Sequence, residues 1–133
     1  DWPSVDALKT DLSTKSLYRN WTPGALDAFA HYGTRTTEAG ALTLACDPRW
    51  EASIFGSYPR GLWQAVRTVS VPVDIVVATR SYPFIRPAVK RAVGRNKRIS
   101  QHVFDGGHCF PMEAPEAAAV QINDILVDSG RGL

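Results

Sequence analysis

The residues best suited to chemistry lie in one short segment, where a histidine follows two glycines and precedes a proline and a glutamate. The segment reads Val103-Phe104-Asp105-Gly106-Gly107-His108-Cys109-Phe110-Pro111-Met112-Glu113-Ala114-Pro115-Glu116. Imidazole is the side chain that most easily takes and returns a proton near neutral pH. A histidine on a loop between a strand and a helix reaches into a cleft while both elements hold its backbone. His108 is therefore the candidate general base.

The elements that must position this loop are predicted by the hydrophobic pattern of the second half. Residues 73–78 form a nearly continuous apolar run, as expected of a parallel strand covered on both faces, and residues 99–104 are predicted to be the next strand. A helix between them ends at Gly94, and Pro87 fits only within its first turn. Its apolar face is formed by Ile85, Ala88, Val89, Ala92 and Val93. The last helix begins at Pro115, and its predicted buried face comprises Ala118, Ile122, Ile125 and Leu126.

The first half reads as several short helices rich in aromatic side chains. Ser4, Thr22-Pro23 and Asp47-Pro48 are helix start signals, and Gly33 and Gly56 are natural ends. Residues 41–45 are predicted to be extended, and a fourth short helix is predicted over residues 60–66. A thin aromatic layer of this kind suits a lid over an apolar pocket. The candidate substrate-binding residues in it are Tyr18, Trp21, Tyr32 and Trp50.

Two strands do not make a stable parallel sheet, because apolar strands of this type need neighbours on both sides. We therefore expect the sheet to be completed by an N-terminal half that is not in this chain. The opening Asp1-Trp2-Pro3 lacks an initiator Met and reads as sequence from within a protein.

The histidine segment resembles the histidine loop at the C-terminal end of α/β-hydrolases, which typically reads Gly-His-x-x-x-x-Glu-x-Pro. Gly107, His108, Glu113 and Pro115 fall on that pattern. The resemblance implies an α/β fold class and the C-terminal part of an α/β-hydrolase. Residues 1–68 would be the helical lid and the helix that connects it to the sheet. Residues 69–133 would be the β-α-β-α part of the core, with His108 as the catalytic histidine.

The triad acid departs from the family pattern. Many α/β-hydrolases place an Asp just past the seventh strand, in a Gly-x-x-Asp turn, whereas this turn reads Ala78-Thr79-Arg80-Ser81-Tyr82-Pro83. Three explanations stay open: an acid after the sixth strand on the missing half, a substitute such as Asp105, or the loss of efficient hydrolysis. We expect the first. Asp74, His31 and His102 are expected to be structural rather than catalytic.

The resemblance implies a hydrolase that cleaves a small apolar ester or similar acyl substrate. No Gly-x-Ser-x-Gly elbow occurs in the chain, so the serine nucleophile would lie on the N-terminal half. One alternative is an epoxide hydrolase or dehalogenase-like enzyme with an Asp nucleophile on that half. Two further alternatives are a ligand-binding member of the fold without catalysis and a free-standing interaction domain.

Composition excludes several other classes of function. A formal charge of +2 over 133 residues is too small to imply a polyanionic partner. The basic run of Arg86, Lys90, Arg91, Arg95, Lys97 and Arg98 lacks the aromatic residues that stack on bases, so it predicts a solvated helix face rather than a nucleic-acid site. Cys46 and Cys109 match no metal or redox spacing. We expect no cofactor, no metal, no membrane span and a cytoplasmic location.

Overall fold

A computed structural model describes residues 1–128 and residue 130. The chain forms two compact units, Asp1–Tyr58 and Pro59–Leu133. The first unit contains three helices and a hairpin, and the second contains two parallel strands with helices around them.

The first two helices begin where the sequence predicted. Helix α1 spans Val5–Ser13, and the Ser4 hydroxyl accepts a hydrogen bond from the Ala7 backbone N–H at 3.1 Å. Helix α2 spans Pro23–Tyr32, and Thr22 caps it through the Ala25 N–H at 3.2 Å. Both caps satisfy backbone donors that have no partner inside the helix. The apolar faces of the two helices bury Leu8, Leu12 and Ala30 as the core of this unit.

A two-stranded antiparallel hairpin follows α2. Strand β1 spans Thr34–Thr36 and strand β2 spans Leu42–Leu44. The sequence predicted the second strand but not the first, because three residues with two threonines carry no distinct apolar pattern. Trp2 exchanges backbone hydrogen bonds with Leu42, each at 2.8 Å, and so extends the ladder by one bridge.

The Trp2 side chain ties the start of the chain to α1. Its indole N–H donates to the Asp11 carboxylate at 3.0 Å, and the Lys15 ammonium donates to the same carboxylate. The hydrogen bond from Lys15 and then that from Trp2 hold the pKa of Asp11 below its usual value, because both favour the charged form. Helix α3, Pro48–Phe55, completes the unit, with Asp47 as its cap.

The second unit is built on two parallel strands. Strand β3 spans Val73–Arg80, strand β4 spans Ile99–Gly107, and helix α5, Ile85–Val93, connects them. Val73 lies opposite Ile99, and the register continues without interruption to Ala78 opposite Phe104. The buried apolar side chains of the unit are Val77, Ala78, Val89, Ala92, Ile99, Phe104 and Ala118. The predicted strand-helix-strand order is confirmed.

Helix α4, Leu62–Thr68, belongs to the second unit. The Asn96 side-chain amide, just after α5, donates to the backbone carbonyls of Val66 and Val69 at 3.0 and 2.9 Å. Trp63 of α4 lies under the guanidinium groups of Arg91 and Arg95. These contacts agree with the assignment of α4 to the second unit, which begins at Pro59, and the boundary between residues 68 and 69 stays a prediction.

The C-terminal helices are the short α6, Phe110–Glu113, and the longer α7, Pro115–Asp128. The predicted buried face of α7 is confirmed only in part. Ala118 is buried, but Ile122 and Leu126 are 42% and 36% exposed. In the described residues, the predicted burial is therefore not met at Ile122 and Leu126. No helix in the described part of the chain is long and apolar enough to cross a membrane.

We predict that Asn96→Ala lowers the free energy of unfolding of the second unit by about 1–3 kcal/mol, because it leaves two carbonyl groups without their donor. The measurement is urea denaturation followed by far-UV circular dichroism. The matched control is Asn123→Ala, on the exposed face of α7. Equal stability of the two variants would contradict the structural role of Asn96.

Candidate functional site

His108 lies directly after β4, at the carboxyl end of the two-stranded sheet. Its Nδ1 atom is 2.8 Å from the hydroxyl oxygen of Ser81, the first residue after β3. Carboxyl ends of neighbouring parallel strands lie at the same edge of a sheet, so the two side chains meet although 27 positions separate them in sequence. This edge is also where open α/β sheets place their ligand sites.

A local irregularity at this edge sets the path of β4. The register passes from Ala78 opposite Phe104 to Arg80 opposite Gly107, so β4 holds one residue more than β3 over this stretch. The Thr79 hydroxyl accepts from the Gly106 N–H at 3.2 Å and donates to the Asp105 carboxylate at 2.8 Å. Such bulges change the direction of a strand, and this one precedes the histidine by two residues.

Glu113 holds the backbone next to the histidine. Its carboxylate accepts a hydrogen bond from the Gly107 N–H at 3.0 Å. A side chain on Gly107 would bring its Cβ atom within 2.6 Å of the Glu113 Cδ atom, which is closer than atoms pack. The Glu113 carboxylate reaches the Gly107 N–H in this position because Gly107 has no Cβ atom. The spacing Gly-His-x-x-x-x-Glu therefore has a steric reason in this chain.

The imidazole is held on two sides and open elsewhere. Besides the Ser81 contact, its ring packs edge-to-face against Tyr82, with ring centroids 4.6 Å apart. Tyr82 in turn stacks on Phe84. The His108 side chain is exposed, and among the described residues its Nε2 atom has no hydrogen-bond partner. An exposed nitrogen with a lone pair is what a general base requires.

The carboxylates near the site are engaged elsewhere. Asp105 interacts with Thr79 and with the Arg80 guanidinium at 3.2 Å, and Glu113 binds the Gly107 backbone. The side chains of Arg80 and Asp105 are 68% and 86% exposed, so their ion pair contributes little stability. Within residues 1–128 and 130, no carboxylate contacts His108. In the described structure Asp105 has no hydrogen bond to His108, and its role as a substitute acid stays a prediction.

His102 and Asp74 form a pair that sequence reasoning did not find. His102 Nε2 is 2.9 Å from an Asp74 carboxylate oxygen, and both side chains are mostly buried on one face of the sheet. The register explains the contact: Asp74 lies opposite Ser100, and His102 is two residues further along the same face. Aligning the starts of the two predicted strands would have revealed it.

The lid candidates of the first unit separate into two groups. Tyr18 and Tyr32 line one cavity of about 530 Å³, together with Phe29, Leu44, Ile54 and Phe55. Trp21 lies behind this wall, with its ring 4.8 Å from that of Tyr18 and its indole N–H buried without a hydrogen-bond partner in the described structure. Trp50 is 69% exposed and lines a different, smaller cavity beside Asp47 and Arg49. Their role in substrate binding stays a prediction.

Half of the basic run of the second unit lies on α5 and half in the segment that follows it. Arg91 and Arg95 place their guanidinium carbons 4.4 and 5.3 Å from the centre of the Trp63 ring. This cation–π contact attaches α5 to α4. Cys109 is a free, partly exposed thiol at the cap of α6. No group of three potential metal ligands comes together among the residues that the structure describes.

The structure of this chain is similar to those of three solved proteins over more than 90% of its length. No protein-family model and no curated protein matches the chain. Among solved structures, E-2-(acetamidomethylene)succinate hydrolase matches 92% of this chain with a TM-score of 0.75 and 21% identity. An esterase of M. tuberculosis matches 94% with a TM-score of 0.72 and 18% identity. The thioesterase domain from the curacin biosynthetic pathway matches 91% with a TM-score of 0.63 and 17% identity.

The fold is that of the α/β-hydrolases, as the sequence predicted. The chain spans 45% of the length of the succinate hydrolase and 42% of each of the other two structures. Together with the two-stranded parallel sheet, this coverage agrees with the prediction of a partial α/β-hydrolase fold.

We predict that Gly107→Ala displaces Glu113 and the histidine loop, because the new methyl group would overlap the carboxylate. The Gly107 amide should lose its hydrogen bond, and its hydrogen-exchange protection should fall by about tenfold or more. Hydrogen exchange measured by NMR reports both. Gly94→Ala is the matched control, since a Cβ there would lie 3.5 Å from the nearest atom, an ordinary contact. Unchanged protection in Gly107→Ala would contradict the close approach.

Proposed function

We propose that this chain is the C-terminal part of an α/β-hydrolase that cleaves an ester or a similar acyl bond, with His108 as its general base. The observation that carries the proposal is the geometry of His108. Its Nδ1 atom is anchored on Ser81 at 2.8 Å, and its Nε2 atom is exposed at the carboxyl edge of the sheet. The solved neighbours are named as a hydrolase, an esterase and a thioesterase, which supports acyl cleavage.

The reaction follows from the two ring nitrogens. With the proton on Nδ1, the Nε2 lone pair removes the proton from a serine hydroxyl, which attacks the substrate carbonyl. The resulting imidazolium then gives the proton to the leaving group, and water releases the acyl group through the same cycle. The Glu113 contact to Gly107 and the Tyr82 ring limit the movement of the imidazole, which keeps Nε2 in one place during both steps.

We propose that the serine and the oxyanion-binding amides come from the N-terminal half of the fold, on the same or on a second polypeptide. Parallel strands are normally paired on both sides, and in the described residues β3 and β4 pair only with each other. Apolar side chains of this unit are also exposed, among them Val103 at 46% and Ile122 at 42%. A neighbouring part of the fold would bury them. The chain together with this half is the complete enzyme in the experiments below.

The cavity lined by Tyr18 and Tyr32 supports an apolar acyl substrate. Its wall is formed mainly by aromatic and aliphatic side chains, and its volume of about 530 Å³ lies in the range of small-molecule sites. We assign this cavity to the apolar part of the substrate and its surrounding residues to the lid.

We predict that His108→Ala lowers kcat of the complete enzyme by at least about 10³-fold with little change in KM, because the base acts in the transition state. The measurement is steady-state hydrolysis of p-nitrophenyl esters. His31→Ala, at an exposed position in α2, is the matched control and should stay within about twofold of the wild type.

The same experiment separates the competing functions. Turnover that survives His108→Ala would contradict the role of the histidine. A wild-type protein that binds an ester analogue without turnover would be a ligand-binding member of the fold. Labelling with a fluorophosphonate, which reacts with activated serine, distinguishes a serine nucleophile from an Asp nucleophile.

We predict that Ala45→Phe raises KM for long-chain esters about tenfold relative to acetyl esters, because the new ring occupies the cavity beside Leu44. Ala39→Phe places the same ring on the exposed turn between β1 and β2 and serves as the control. Equal KM ratios in both variants would show that the acyl chain binds elsewhere.

A further inference from the structure

The partner of the His108 Nδ1 atom is a neutral hydroxyl. Ser81 Oγ lies 2.8 Å from Nδ1, and the described residues offer no second group at that nitrogen. The nearby carboxylates of Asp105 and Glu113 bind Thr79, Arg80 and the Gly107 backbone instead. In the described structure, the hydrogen-bonding group at Nδ1 is therefore a serine hydroxyl.

We propose that Ser81 is the positioning residue of the catalytic histidine and acts there without an anion. This inference rests on the proposed function of His108. A base needs a third group that orients its ring and leaves the reactive nitrogen unprotonated. Ser81 meets the first requirement, because β3 places its hydroxyl at the carboxyl edge of the sheet, opposite the end of β4.

A hydroxyl meets the second requirement only in part. A carboxylate accepts hydrogen bonds and so keeps the proton on Nδ1, whereas a serine hydroxyl either donates or accepts. When Ser81 accepts, the proton lies on Nδ1 and Nε2 is ready to act as a base. When Ser81 donates, the proton lies on Nε2 and the base is blocked. The neutral hydroxyl also gives the imidazolium less electrostatic stabilisation than an anion would.

In the alternative arrangement, an acid on the N-terminal half binds the Nδ1 atom of His108 in place of Ser81. The Ser81 hydroxyl already occupies that nitrogen in this structure. An acid supplied from elsewhere would have to displace the Ser81 hydroxyl, and Ser81 would then be dispensable.

The test compares Ser81→Ala, Ser81→Thr and Ser81→Asp with His108→Ala and with the control Ser70→Ala, an exposed serine before β3. We expect Ser81→Ala to lower kcat of the complete enzyme about tenfold to a hundredfold with KM unchanged, because Ser81 orients the base and does not bind substrate. Ser81→Thr keeps the hydroxyl and should recover most of the loss. Ser81→Asp should raise kcat about tenfold or more above the wild type, because it adds an anion that only accepts.

The second readout is the tautomer of His108, measured by ¹⁵N NMR on the complete enzyme. The wild type and Ser81→Thr should show both tautomers in exchange, and Ser81→Asp should show the proton on Nδ1 alone. A variant that merely perturbs packing would not produce this ordered series. Circular dichroism verifies that each variant is folded.

The outcomes separate the two proposals. If His108→Ala abolishes turnover while Ser81→Ala stays within twofold of wild type, the inference about Ser81 is overturned and the proposed function stands. If turnover survives His108→Ala, both fail. If Ser81→Asp lowers kcat and leaves the tautomers of His108 unchanged, Ser81 does not take the role of the orienting acid. The inference is then overturned.

Discussion

The parallel pairing of β3 with β4 is the constraint on which the site depends. Their register begins with Val73 opposite Ile99 and brings the ends of both strands to one edge. Ser81 and His108 each follow one of these ends, so their 2.8 Å contact is a consequence of the register. A slip by one residue would turn every side chain of a strand to the other face and separate the pair. The buried apolar residues of the strands oppose such a slip, because each would have to repack against the opposite face of the sheet.

The loop that carries the histidine is held through its backbone as well as through its ring. Thr79 binds the bulged part of β4, and Glu113 binds the Gly107 N–H from the next helix. Gly106 is likewise crowded, because a Cβ there would lie within 2.7 Å of the Phe104 ring. Phe104 and Phe110, whose rings stack 4.3 Å apart, form the apolar layer beneath. The imidazole is therefore exposed while the backbone on its N-terminal side is closely packed, an arrangement suited to a proton-transfer group.

Much of the secondary structure was predictable because its signals are local. Ser4, Thr22 and Asp47 cap their helices as expected, since a side chain within three residues satisfies the exposed backbone donors. The two strands and the helix between them followed from apolar runs and periodicity. Strand β1 and the exposed part of α7 were not predicted correctly, because both depend on what lies beside them in space. The candidate base His108 was found from its motif, whereas the partner of its Nδ1 atom was not.

By itself the sequence determined the order of the elements, the histidine loop and the absence of a carboxylate in the turn after β3. Only the tertiary structure decided which groups meet there: Ser81 with His108, Glu113 with Gly107, and Asp74 with His102. The physical reason is that helix caps and apolar periods are encoded within a few neighbouring residues. A hydrogen bond between residues 27 positions apart depends instead on strand register and on a bulge, and both are set by the packing of the whole unit.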